Sequence, residues 1–128
     1  MLGGHCKFGG DGVMSKTFNN LPDHERVRIR FNVNFIDRWE GEYVSLKVDD
    51  KLVWTYGFKA CNRILADDCL KYGVDACGDN YPDRLGHVVD LNLKHSAHSL
   101  SFSMEDSISG RNNCEVSWGI DDLEIYVK

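Results

Sequence analysis

Apolar and polar residues alternate without a break from Val27 to Phe35: Val27, Ile29, Phe31, Val33 and Phe35 are interleaved with Arg28, Arg30, Asn32 and Asn34. A period of two places one set of side chains on each face of an extended chain, so this run predicts a half-buried strand over Glu25–Ile36. The same period recurs at Val44, Leu46 and Val48 within Tyr43–Asp49, at His87, Val89, Leu91 and Leu93 within Leu85–Lys94, and at Leu100, Phe102 and Met104. Asp49-Asp50 can serve as a two-residue hairpin into a strand over Lys51–Tyr56. Lys7–Phe18 is Gly-rich and then strand-like, Leu21-Pro22-Asp23-His24 is a connection, and Ser107–Asn113 is a polar turn. In the last strand, Cys114–Val127, the apolar positions are even (Val116, Trp118, Ile120) and then odd (Leu123, Ile125, Val127). A one-residue slip at Asp121-Asp122 is what a β-bulge produces, and bulges re-aim side chains. Two short strands joined by a polar corner would give the same slip.

Phe58–Arg84 breaks the pattern. It holds Cys61, Cys69 and Cys77, charges of both signs and Pro82, with room for a short helix near Asn62–Tyr72. It reads as a cysteine-bearing insertion in a single domain over residues 1–128. Seven or eight short strands with almost no helical period indicate an antiparallel sandwich or barrel.

At 128 residues, with 42% hydrophobic and 27% charged content, the chain can build one core and is not disordered. A net charge of −5 disfavours nucleic acid and anionic membrane as partners. No apolar run approaches a membrane span, and Met1-Leu2-Gly3-Gly4 lacks the pattern of a signal peptide. Five cysteines favour an oxidising compartment, with up to two disulfides and a spare thiol. A cytosolic chain with buried free thiols is the alternative, and the pairing is not fixed by sequence.

The densest candidate chemistry follows the long strand. Asp37, Glu40 and Glu42 crowd around Trp39 and Gly41, and carboxylates this close are solvated or share a cation. Together with Asp121 or Asp122 they could supply oxygen ligands for a Ca²⁺ ion joining this loop to the last strand; plain solvated charge is the alternative. Asp67, Asp68, Asp75, Asp79 and Asp83 form a second acidic group in the insertion. Cys61, Cys69 and Cys77 lack the paired spacing of structural zinc sites, and His95 and His98 sit in a Ser-rich turn. Among the aromatics, Trp54 and Trp118 read as core. Trp39 and Tyr81 read as exposed rings on which a sugar could stack. Arg26, Arg28 and Arg30 form a solvated row. Glu40 and Glu42 could pair as acid and base, but no nucleophile elbow, phosphate loop or metalloprotease motif is present, which points away from an enzyme.

Several segments taken together resemble a β-sandwich module (jelly-roll, galactose-binding-like) repeated in large surface and secreted proteins of single-celled eukaryotes. They are Gly3-Gly4 with Phe8-Gly9, Lys16-Thr17-Phe18, Leu21-Pro22-x-His24, Ile36-Asp37-x-Trp39-x-Gly41-Glu42, Val48-Asp49, Val53-Trp54, and Ser117-Trp118-Gly119-Ile120-Asp121-Asp122-Leu123. The last segment is similar to the closing Ile-Asp-Asp strand of jelly-roll adhesion and carbohydrate-binding modules. The resemblance implies a role for Asp121 or Asp122 in holding a structural calcium, and no enzymatic activity.

The expectation is therefore an all-β, jelly-roll-like antiparallel sandwich with a cysteine-bearing insertion. It would act outside the cell or at its surface as a calcium-binding recognition or adhesion module, with a glycan or a protein as partner and without entering a membrane. The alternatives are a structural module of a larger extracellular or ciliary assembly with no small ligand, and a small glycan-active enzyme.

Overall fold

The computed structural model describes residues 1–9, 12–59, 84–109 and 114–128. Eight strands follow in chain order: β1 (Leu2–Gly3), β2 (Val13–Phe18), β3 (Arg26–Asp37), β4 (Glu40–Val48), β5 (Lys51–Lys59), β6 (Arg84–Lys94), β7 (Leu100–Asp106) and β8 (Val116–Val127). They form two four-stranded antiparallel sheets, one ordered β1-β8-β3-β6 and the other β2-β7-β4-β5. The first strand thus pairs with the last, the second with the seventh, the third with the sixth and the fourth with the fifth. This nested order is a hairpin of hairpins rolled into two layers, the jelly-roll arrangement.

The period-two positions fill the space between the sheets. Val27, Ile29, Phe31, Val33 and Phe35 of β3 are all fully buried. They meet Val44, Leu46, Leu100, Phe102, Met104, Trp118 and Ile120 in one core. Removing such side chains from water is the main force closing a sandwich.

Two sequence expectations are met by local backbone geometry. Val48 pairs with Lys51, leaving Asp49 and Asp50 as the whole turn. Their φ angles of 51° and 64° are the left-handed pair that a type I′ hairpin needs. At Asp121-Asp122 the chain forms a bulge rather than a corner. The β3–β8 register steps from Arg30↔Glu124 to Asn32↔Asp121, so β8 carries one residue more than β3 over that interval, and Asp122 has φ 55°.

β3 runs between two differently built ends. At its Asp37 end the N-terminal segment runs along β8 at the edge of the first sheet, with Gly4 N donating to Trp118 O and Trp118 N to Phe8 O. Gly119 permits this close approach, because a Cβ there would lie 2.7 Å from Leu2 O. A disulfide, Cys6–Cys114, ties the segment down; the other three cysteines lie outside the described residues. At the Arg26 end, loops meet through hydrogen bonds: His95 N to Glu25 O, Leu21 N to His98 O, and Asp49 N to Ser101 O. Among the described residues no helix is long and apolar enough to cross a membrane.

Candidate functional site

The residues expected to hold calcium are not brought together. Asp37 lies opposite Val116 in the β3–β8 ladder, whereas Asp121 lies opposite Asn32. Five residues of strand, about 16 Å, separate the two positions. Each acid has local partners instead. Asp37 is fully buried with φ 67°, its Oδ2 3.2 Å from His5 Nδ1. Glu40 pairs with Arg38 at 3.1 Å, and Glu42 accepts the backbone N–H of Glu40. Asp121 accepts from Asn34 Nδ2 at 3.2 Å and Asp122 from Asn32 Nδ2 at 3.0 Å. The bulge thus turns both aspartates toward the asparagine row of β3. Among the described residues no three His, Cys, Asp or Glu side chains are grouped as metal ligands.

The reading of Trp39 as an exposed ring is corrected. Its side chain is 1% exposed, meets Phe35 edge-on at 5.0 Å, and donates Nε1–H to Ser117 O at 2.9 Å. The charged neighbours suggested a solvated loop. The chain between β3 and β4 instead folds the indole under the sandwich, where its one polar atom is satisfied. Trp118 is fully buried, as expected, and Trp54 packs partly buried against Phe31. Tyr81 and the acids of the insertion lie outside the described residues.

A different exposed ring stands on the outward face of the second sheet. Alternation along β4 sends Val44, Leu46 and Val48 into the core and leaves Tyr43, Ser45 and Lys47 facing out. Tyr43 lies opposite Gly57, which offers no side chain to cover it, and is 50% exposed. Its backbone is clamped by Ser107: Tyr43 N donates to Ser107 Oγ and Ser107 N to Tyr43 O, both at 2.9 Å. Around the ring lie an ion pair, Lys47 Nζ to Glu105 Oε1 at 3.1 Å, and a hydroxyl pair, Ser45 Oγ to Thr55 Oγ1 at 3.2 Å. Asp106 closes the row. Its Oδ2 accepts the indole N–H of Trp118 from within the core at 2.7 Å, and its Oδ1 accepts Ile108 N at 2.9 Å. These groups line a shallow groove of about 670 Å³, within the size range of small-molecule sites. An aromatic face beside hydroxyls and both signs of charge suits a ligand with apolar C–H faces and a hydroxyl rim.

Sequence reasoning counts Tyr43 among the aromatics that could stack a sugar but does not single it out; its signal was that its phase runs opposite to the apolar set Val44, Leu46 and Val48.

No family model matches the chain, and no curated protein matches it in sequence. Solved structures do match in fold. A sugar-binding protein, the EclA C-terminal domain, superposes with a TM-score of 0.53 at 16% identity, over 88% of this chain and 65% of that one. Dimeric latent PorU from Porphyromonas gingivalis superposes with a TM-score of 0.53 at 12% identity, over 91% of this chain but 10% of that one. The chain therefore spans less than two thirds of either neighbour. At these identities the likeness shows a shared β-sandwich fold.

Proposed function

We propose that this domain is a non-catalytic glycan-recognition module whose binding face is the Tyr43 groove on the outward side of β4, β5 and β7. The observation that carries this reading is the half-exposed Tyr43 ring, its backbone clamped by Ser107, with Ser45, Thr55, Lys47 and Glu105 lining the same groove. The fold it shares with a sugar-binding domain supports it. The Cys6–Cys114 disulfide supports action in an oxidising, extracellular setting. Calcium is left out of the recognition step, because the expected ligands stand apart.

Binding to a glycan array, repeated with Tyr43→Ala, tests the site. The substitution removes an exposed ring, so stability should move by no more than about 0.5 kcal/mol. Affinity should fall at least tenfold, which corresponds to about 1.4 kcal/mol. Undiminished binding by the variant would remove the groove from the proposal. No glycan bound, together with a protein interface covering Tyr43, would favour the structural-module reading. Thermal unfolding in excess Ca²⁺ and in chelator tests the place given to calcium. Equal midpoints are expected. A rise equivalent to about 2.7 kcal/mol at a hundredfold excess over Kd would restore the ion.

A further inference from the structure

Three side chains at the Arg26 end of the sandwich form a hydrogen-bonded line. His24 Nδ1 lies 2.7 Å from Pro22 O, His24 Nε2 lies 2.7 Å from His95 Nδ1, and His95 Nε2 lies 2.9 Å from Asp49 Oδ2. The two imidazole planes are within 10° and their centroids are 5.0 Å apart. Rings stacked face to face could not bring nitrogens to 2.7 Å without overlap, so the two meet edge to edge in a common plane, the geometry of an N–H···N bond. Both are sheltered: His24 is 8% exposed and the His95 side chain 7%.

Counting protons along this line gives a definite result. A carbonyl and a carboxylate only accept, so Nδ1 of His24 and Nε2 of His95 must each carry a proton. The ring-to-ring contact needs one more. Three protons are required on four ring nitrogens, whereas two neutral imidazoles bring two. We infer that His24, His95 and Asp49 form a proton-binding site that takes up one proton shared by the two rings, and that this proton joins three loops at one end of the sandwich. With the proton bound the three side chains are together neutral. Without it, two acceptors face each other at one of the gaps, which is costly where the two sheltered rings meet and less so at Asp49, whose side chain is 44% exposed. The proton belongs to the pair, not to either ring alone.

The loops are those that carry His24 (between β2 and β3), His95 (between β6 and β7) and Asp49 (between β4 and β5). Asp49 also accepts Ser101 N through Oδ1 at 2.9 Å, so the line is anchored to β7. Glu25, Arg26 and Lys94 line the cleft on one side of His95, and Asp49, Lys51 and Lys94 the cleft on the other. Asp23 is engaged by His98 at 2.8 Å. Besides Asp49, the cleft charges are one acid and three bases. By linkage, a proton held by the folded state and not by the unfolded chain stabilises the fold at low pH, and that stability is lost as pH rises through its release.

The distinguishing variant is Asp49→Asn. Its amide can keep Oδ1 on Ser101 N and donate Nδ2–H to His95 Nε2, and Asn tolerates the φ of 51° at this position. Two protons then satisfy the line, so the extra proton is no longer needed. Imidazole nitrogen NMR and thermal unfolding between about pH 5 and pH 8 read this directly. In the wild type, three of the four ring nitrogens should be protonated at the acid end and two at the alkaline end. The variant should show two throughout. Raising the pH should lower the wild-type Tm relative to the variant by roughly 3 °C or more. Two protonated nitrogens in the wild type across the whole range would overturn the inference, as would the same pH dependence of Tm in both proteins. The wild-type NMR decides the matter even if the variant does not fold. The test involves no ligand, so it stands or falls separately from the glycan reading.

Discussion

His87 and His95 lie eight residues apart along one strand direction, about 26 Å, and their neighbours ask opposite things of a ring nitrogen, one that it accept and the other that it donate. His87 Nδ1 faces Arg84 Nη2 at 3.3 Å. A guanidinium only donates, so that nitrogen must be bare and the ring neutral. Burial, and then the charge of Arg84, hold His87 below the ordinary imidazole range. His95 faces a carboxylate and must donate. The lesson is that which ring nitrogen of a histidine carries a proton is read from the donor or acceptor across the gap and not from depth alone. The two surroundings differ in kind as well. His87 sits over Tyr56 at 4.1 Å within a ring cluster that includes Phe35, Phe58 and Trp39. His95 sits where loops are joined by hydrogen bonds.

The strongest way to break this contrast is to dismantle the ring-built end. Trp39→Ala should cost about 3–5 kcal/mol, measured by denaturant unfolding, because it empties a closed site and orphans Ser117 O. A loss below about 1 kcal/mol, the range of surface changes, would show the indole to be exposed in solution. Next, reducing Cys6–Cys114, which closes a separation of 108 residues, should lower stability by about 2–4 kcal/mol. Unfolding followed with and without reductant checks this, and an unchanged midpoint would mean that the bond is not formed. The smallest effect sharpens the contrast instead. Because His87 binds its proton less readily when folded, its contribution is present above the ordinary imidazole value. It is lost as pH falls through that value toward the folded one. His87→Phe should flatten this acid-side loss, whereas the His24–His95 line changes stability in the opposite sense. If the wild type and His87→Phe respond alike to acid, the neutral-ring assignment is wrong.

Much of the fold was legible because period-two burial is a local property. The five core positions of β3, the Asp49-Asp50 hairpin and the one-residue slip at Asp121-Asp122 all follow from residues within a few places of one another. The site was less legible because its parts are joined by register. Asp37 and Asp121 looked like partners while the ladder was unknown, and they separated once Asp37 was placed opposite Val116. Trp39 was misjudged because charges on either side say nothing about which way a reversing chain turns a ring. His24 and His95 are 71 residues apart in sequence, and neither the Pro-containing connection nor the Ser-rich turn signals that they meet. That Tyr43 stands opposite a glycine on the neighbouring strand is again a matter of pairing.

The Cys6–Cys114 bond also has a mechanical meaning. Tension applied between Met1 and Lys128 would pass from the first strand's neighbourhood directly to the start of β8, bypassing the 107 residues between the two cysteines. Only the short flanking pieces could lengthen, by roughly 3.3–3.6 Å per residue. While the bond is intact, the layer that carries Tyr43 lies outside the path of the load. A pull strong enough to strip β8 from β3 would still leave that layer's chain unstretched, and reduction would put it in line with the force.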